Sequence, residues 1–227
     1  TLRDARTTLA TKTKGAGLEG SIYAGLNALI GDSLSREWHR DDGAAMRIER
    51  CLIDANWGNS TDVVYQFCRQ STFAGILMPS HGRGVGPSQK PMSEYERKPG
   101  ERFGLNWFVP VLKGKRAVRH VIYDTNYWKS FIYARLAVPM GDRGCLSIFG
   151  DKADLHRLFA EHLTAEYRVK TEGRGRTVDE WKLRPERGDN HWWDCLVGCA
   201  VAASMQGVRM VGMEPEQGKR RQPRRVT

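Results

Sequence analysis

The chain has 227 residues, 40% of them hydrophobic, enough to bury a sizeable core in one large domain. Lys and Arg number 36 against 26 Asp and Glu, a formal net charge of +10 that suits a polyanionic partner, nucleic acid first of all. No run of about eighteen apolar residues and no charged leader with an apolar centre is present, so the expectation is a soluble protein with no membrane span and no secretory signal.

Residues 1–20 are polar and Gly-punctuated and read as an opening segment ahead of the fold. Ser21 to His39 place Ile22, Leu26, Leu29, Ile30, Leu34 and Trp38 at helical spacing, with Gly31-Asp32 as a possible break. Met46 to Ala55 alternates and then turns continuously apolar, as a half-buried to buried strand does, and Asp54 sits where it runs out. Residues 59–61 (NST) then cap the helix TDVVYQFCRQ, and Phe73 to Pro79 is a second strand, so the unit is strand, helix, strand, the sign of a parallel sheet.

Ser80 to Arg102, rich in Gly, Pro and basic residues, is too long for a mere connector and is read as a functional or mobile loop. Its HGRGVG stretch lacks the Lys-Ser/Thr ending of a phosphate loop, so no ATPase motif is present. Two strands flank Lys113-Gly114-Lys115, with Pro110 fitting only an edge strand. Helices follow at Thr125 to Leu136 and Lys152 to Thr164. EYRVKT and TVDEWKLR form a hairpin across Gly173-Arg174-Gly175, and a last helix opens with Asp189 as N-cap and runs to about Gln206. The tail GKRRQPRRV, with no acid, reads as a disordered basic arm, giving a division into 1–20, 21–208 and 209–227. Cys51, Cys68, Cys145, Cys195 and Cys199 are scattered without CxxC spacing and are expected to be reduced, buried apolar residues.

Asp54 lies where open α/β sheets keep their sites, although an acid closing a strand often only caps the next turn. In the last helix, His191 and Asp194 are three apart and share a face, while Cys195, Cys199, Ala202 and Ala203 make a small-residue face suited to close packing on a sheet. Two carboxylates, one from a strand end and one from a helix on the same sheet, can hold Mg²⁺ or Mn²⁺, which want hard oxygen ligands. Two such ions, about 3.5–4 Å apart, suit phosphodiester hydrolysis, a geometry that usually needs a third acid.

The stretches IDANWGNSTDVVYQFCR (53–69), DTNYWKSFIYARL (124–136) and above all DNHWWDCLVGCAVAA (189–203) resemble the C-terminal nuclease domain of phage terminase large subunits, in the lambda-type, GpA-like branch. The likeness spans roughly residues 20–207, and the NHxxDC motif at the start of the last helix is its most specific part. The resemblance implies an RNase H-like α/β fold, a mixed sheet flanked by helices, and a metal-dependent endonuclease that cuts concatemeric viral DNA. It implies Asp54 and Asp194 as metal ligands and His191 as an adjacent catalytic residue, with Mg²⁺ or Mn²⁺ in a two-ion site.

It implies as partners double-stranded DNA, the terminase small subunit, the portal and an upstream ATPase domain, and as location the cytoplasm of an infected bacterium. The family's first acid, in a GxDxQ-like strand, is not found: Asp4 is the sole aspartate in residues 1–20. Either the first strands lie outside this chain or that acid is absent. Asp124, Asp142, Asp151 and Glu180 are open as substitutes. DNA contacts are expected from His81, Arg83 and Lys90 in the long loop, from Lys113, Lys115 and Arg116 at the hairpin tip, and from Lys129. The alternatives are another RNase H-like nuclease of resolvase or transposase type, or a non-catalytic DNA-binding or docking module.

Overall fold

The computed structural model describes residues 9, 13–56, 58–111, 118–150 and 152–213. Its centre is a five-stranded mixed sheet of β3 (Cys51–Asp54), β4 (Leu77–Arg83), β7 (Val121–Asp124), β6 (Trp107–Val109) and β5 (Arg102–Gly104), in that spatial order. β3, β4 and β7 are parallel, while β6 and β5 run antiparallel to their neighbours. Among the described residues β3 is an edge strand, paired on one side only.

Helices cover both faces. α1 (Leu18–Ser35) and α2 (Thr61–Gln70) pack on one, where Ile22, Ile30, Leu34, Val64 and Phe67 meet Leu77. α3 (Thr125–Leu136) and α5 (His191–Met205) pack on the other, where Trp128, Ile132, Trp193, Val197 and Val201 meet Met78, Val121 and Tyr123. Leu77 and Met78 thus go to opposite cores, as the period-2 pleat of a strand requires. A five-stranded mixed sheet between helices is the expected architecture, consistent with an RNase H-like nuclease fold.

Several boundaries differ from the sequence reading, each for a local reason. α1 starts at Leu18, runs through Gly31-Asp32 and stops at Ser35; its seating on α2 through Ile22, Ile30 and Leu34 outweighs one helical Gly. Trp38–His39 is instead a short strand, β1, paired with β2 (Ala45–Met46), so the segment taken as one strand from Met46 divides into β2 and β3. β4 begins at Leu77 and extends to Arg83, because pairing with β7 through Ser80, His81, Gly82 and Arg83 continues the ladder into what reads as loop. The second α/β helix begins as a 3-10 turn, Ala153–His156, ahead of α4 (Arg157–Leu163).

β8 (Glu166–Gly173) and β9 (Arg176–Leu183) form the expected hairpin, with Arg174 and Gly175 at positive φ in its turn. Asp189 does not cap α5: the N-cap is Asn190, and Asp189 lies outside the helix beside His191. The buried face of α5 also differs. Trp193, Val197, Ala200, Val201, Ala202 and Met205 are inward, since large side chains remove more apolar surface from water than a cysteine stripe does. Cys195 and Cys199 keep exposed surface, Cys51 and Cys145 are half-buried, and only Cys68 is fully buried.

Candidate active site

β3 ends in Asp54, whose exposed carboxylate accepts the Asn56 backbone N–H at 3.1 Å. The sheet face that carries it is covered by α5, and the first turn of α5 carries Asp194. Tyr123, on β7, is buried, which raises its phenol, and the charges of Asp54 and then Asp194 raise it further. Cys195 has the same neighbourhood; burial, then Cys199, Asp194 and Asp54, push its thiol up to about 11. Asp54 thus ends a parallel strand, where open α/β sheets keep their sites, and Asp194 opens the helix that packs on that strand. Gly82 on β4 makes room there, since a Cβ at this position would lie 2.5 Å from Thr125 Cγ2 and 3.3 Å from the Tyr123 hydroxyl.

Asp194 is also held from below. Lys129 Nζ reaches Asp194 Oδ1 at 2.9 Å and donates to Glu166 Oε1 and Oε2 at 2.6 and 2.8 Å. Asn190, the cap residue of α5, donates its side-chain N–H to the same Glu166. Lys129 and Glu166 side chains are 10% and 4% exposed, so Lys129 is buried among carboxylates, whereas the sequence reading takes it as a surface contact to DNA. Glu166 and Asn190 were not legible as site residues: they stand 37 and 61 positions from Lys129 in sequence, and no motif links them.

Of the other open carboxylates, Asp124 has a structural role. Asp124 is buried and accepts backbone N–H groups from Asn126, Tyr127 and Val85, so it caps α3 and ties down the loop after β4. Burial holds its carboxyl above the usual aspartate value in spite of those donors. Asp142 is exposed in a turn, Glu180 sits beside Gly86, and Asp151 lies outside the described residues.

His81 is on β4 rather than in a mobile loop. Its Nδ1 meets Asn56 Oδ1 at 2.8 Å, and its Nε2 meets the Tyr65 hydroxyl at 2.8 Å. Asn56 donates its own side-chain N–H to Gly82 O, which turns its oxygen toward His81; neutral His81 therefore carries its proton on Nδ1 and accepts from Tyr65 at Nε2. His120 stacks edge-on at 5.1 Å, and burial lowers both imidazoles. His191 is exposed, 3.5 Å from Asp189 and on the side of α5 that faces His162.

Arg83, Gly84, Val85, Gln89, Lys90 and Tyr95 line a cavity of about 450 Å³ beside this strand end. Both basic side chains are exposed. Lys113, Lys115 and Arg116 lie outside the described residues.

Among the described residues no three His, Cys, Asp or Glu side chains converge as a metal-holding group. Mg²⁺ or Mn²⁺ is usually held by one or two carboxylates together with water and substrate phosphates, the donor type that Asp54 and Asp194 carry. A two-ion site needs a further acid.

An RNase H-like α/β domain with one carboxylate at a strand end, a second in the first turn of the helix packed on that strand and a basic residue ending the next strand has the make-up of a nuclease. The family model for the endonuclease domain of the terminase large subunit gpA matches residues 23–216, and the chain belongs to that family. No curated protein and no solved structure matches it. The chain is a terminase large subunit endonuclease domain, a class whose substrate is DNA and whose setting is DNA packaging. Among the described residues no helix is long and apolar enough to cross a membrane.

Proposed function

We propose that this domain hydrolyses phosphodiester bonds of concatemeric double-stranded DNA with Mg²⁺ or Mn²⁺ held by Asp54 and Asp194. The observation that carries the reading is that Asp54 ends β3 while Asp194 lies in the first turn of α5, the helix that packs on β3. A divalent ion there supplies charge neutralisation at the phosphodiester and a more acidic water. The protein's own part is to anchor and orient. Asp54 and Asp194 offer hard oxygens, and Arg83 and Lys90 neutralise neighbouring phosphates without reading sequence. His191, at the rim of α5, is the supporting polar residue.

A third acid would reach the pair from a strand added at the free edge of β3, the side of the sheet nearest Asp54. The catalytic body is taken as residues 21–208, extended by residues 18–20 at the start of α1 and by Met210 and Met213, which pack against the core. The remaining expectations belong to the same reading: an upstream ATPase, the small subunit and the portal as partners, and action in the cytoplasm of an infected bacterium.

The test is nicking of supercoiled plasmid by the full chain with Mn²⁺ or Mg²⁺, beside Asp54→Ala and Asp194→Ala. Metal-dependent nicking lost in both variants supports the reading. Salt-sensitive DNA binding by a folded chain, indifferent to divalent ions and without nicking, would favour a docking module instead.

A further inference from the structure

The contacts beneath Asp194 form a charge balance that the nuclease reading does not use. Among the described residues Lys129, from α3, forms an ion pair with Asp194 and is shared with Glu166 at the start of β8. Glu166 is nearly inaccessible and is further fixed by Asn190 from α5, so three separate elements meet at one carboxylate. A buried ammonium needs a counter-charge, and without Glu166 the only carboxylate in reach would be Asp194 itself. The ammonium touches Oδ1 of Asp194, and its side chain keeps about half its surface open.

We propose that Glu166 is a positioning residue for the metal site. It neutralises Lys129, so that the contact of Lys129 with one oxygen of Asp194 does not cancel the Asp194 charge, and Asp194 stays available to a divalent cation. The inference rests on the reading of Asp194 as a ligand. Groups that hold a metal ligand in place typically change metal affinity or activity by about 10- to 100-fold when altered.

The experiment measures Mn²⁺ binding to the full chain without DNA, by electron paramagnetic resonance of free Mn²⁺ at fixed pH, with melting curves alongside. Glu166→Gln leaves Lys129 with Asp194 as its only counterion and is expected to weaken Mn²⁺ binding by about 10-fold or more. Lys129→Met removes the competing charge and is expected to bind Mn²⁺ at least as tightly as the native chain.

The double variant Glu166→Gln, Lys129→Met buries no lone charge, so it is the one expected to fold whatever the singles do, and its Mn²⁺ affinity should return close to native. A purely structural role predicts the reverse, a double variant as weak as Glu166→Gln or weaker; that result, or unchanged binding in folded Glu166→Gln, overturns the proposal. Asp194→Asn separates the two levels. If it binds Mn²⁺ like the native chain, the ligand reading itself fails; if it loses binding while Glu166→Gln does not, only the role of Glu166 fails.

Discussion

Replacing Asp124 by Ala is the sharpest check on which acids serve the fold and which serve the site. Asp124 stands at the end of β7, one strand from Asp54's neighbour β4, where loss of activity in a variant would readily be taken for loss of a metal ligand. One oxygen of its carboxylate, Oδ1, takes three backbone donors: Asn126 at 3.0 Å, Tyr127 at 3.4 Å and Val85 at 3.3 Å. Removing the cap costs about 1–2 kcal/mol. The Val85 N–H, left in a buried setting without its acceptor, adds about 1–3 kcal/mol.

Desolvation of the carboxylate, visible in its raised pKa, offsets part of this, so a net loss of about 2–3 kcal/mol is expected for Asp124→Ala. In a chain of this size that lowers the melting temperature by about 5–10 °C. Asp124→Asn keeps an oxygen acceptor and should recover much of the loss. The assay is urea unfolding of both variants followed by Mn²⁺ binding at a temperature where each is folded. Native stability of Asp124→Ala together with lost Mn²⁺ binding would refute the capping account and make Asp124 a ligand.

Trp193 is fully buried against Trp181 and the sheet, and Trp193→Ala should cost about 3–5 kcal/mol in urea unfolding. Trp193→Phe also removes an indole N–H that has no hydrogen-bond partner, so it should cost markedly less. Arg83→Ala with Lys90→Ala should weaken binding to duplexes of unrelated sequence alike and reduce the slope of log K against log salt by about 2; an unchanged slope would remove both from the DNA interface. His81 and His120 have folded pKa values below 6.5, so the folded state binds fewer protons there than the unfolded chain. Stability from this pair is therefore full above about pH 6.5 and falls as pH drops toward the folded values, and His120→Gln should flatten urea midpoints between pH 7.5 and 5.5.

Sequence by itself determined the layered α/β class, the parallel β3-α2-β4 unit and the placement of Asp54 and Asp194, because strand and helix periods and strand-end position are local properties. It also carried the family, through the motif that opens α5. What it did not determine depends on partners distant along the chain. β4 runs into an apparent loop because β7, nearly 40 residues later, supplies its ladder. Trp193 and Val197, not the cysteines, face the core because the sheet selects the bulkier stripe.

The site shows the same division most clearly. Lys129 reads as one more exposed cation, and its burial on Glu166 and Asp194 exists only once α3, β8 and α5 are packed together. Asp124 reads as a candidate ligand until the Val85 loop folds over it. A carboxylate's role is set by which donors converge on it, and convergence is a tertiary property: burial makes unpaired charges costly, so the fold assigns each buried acid a partner that the sequence does not name.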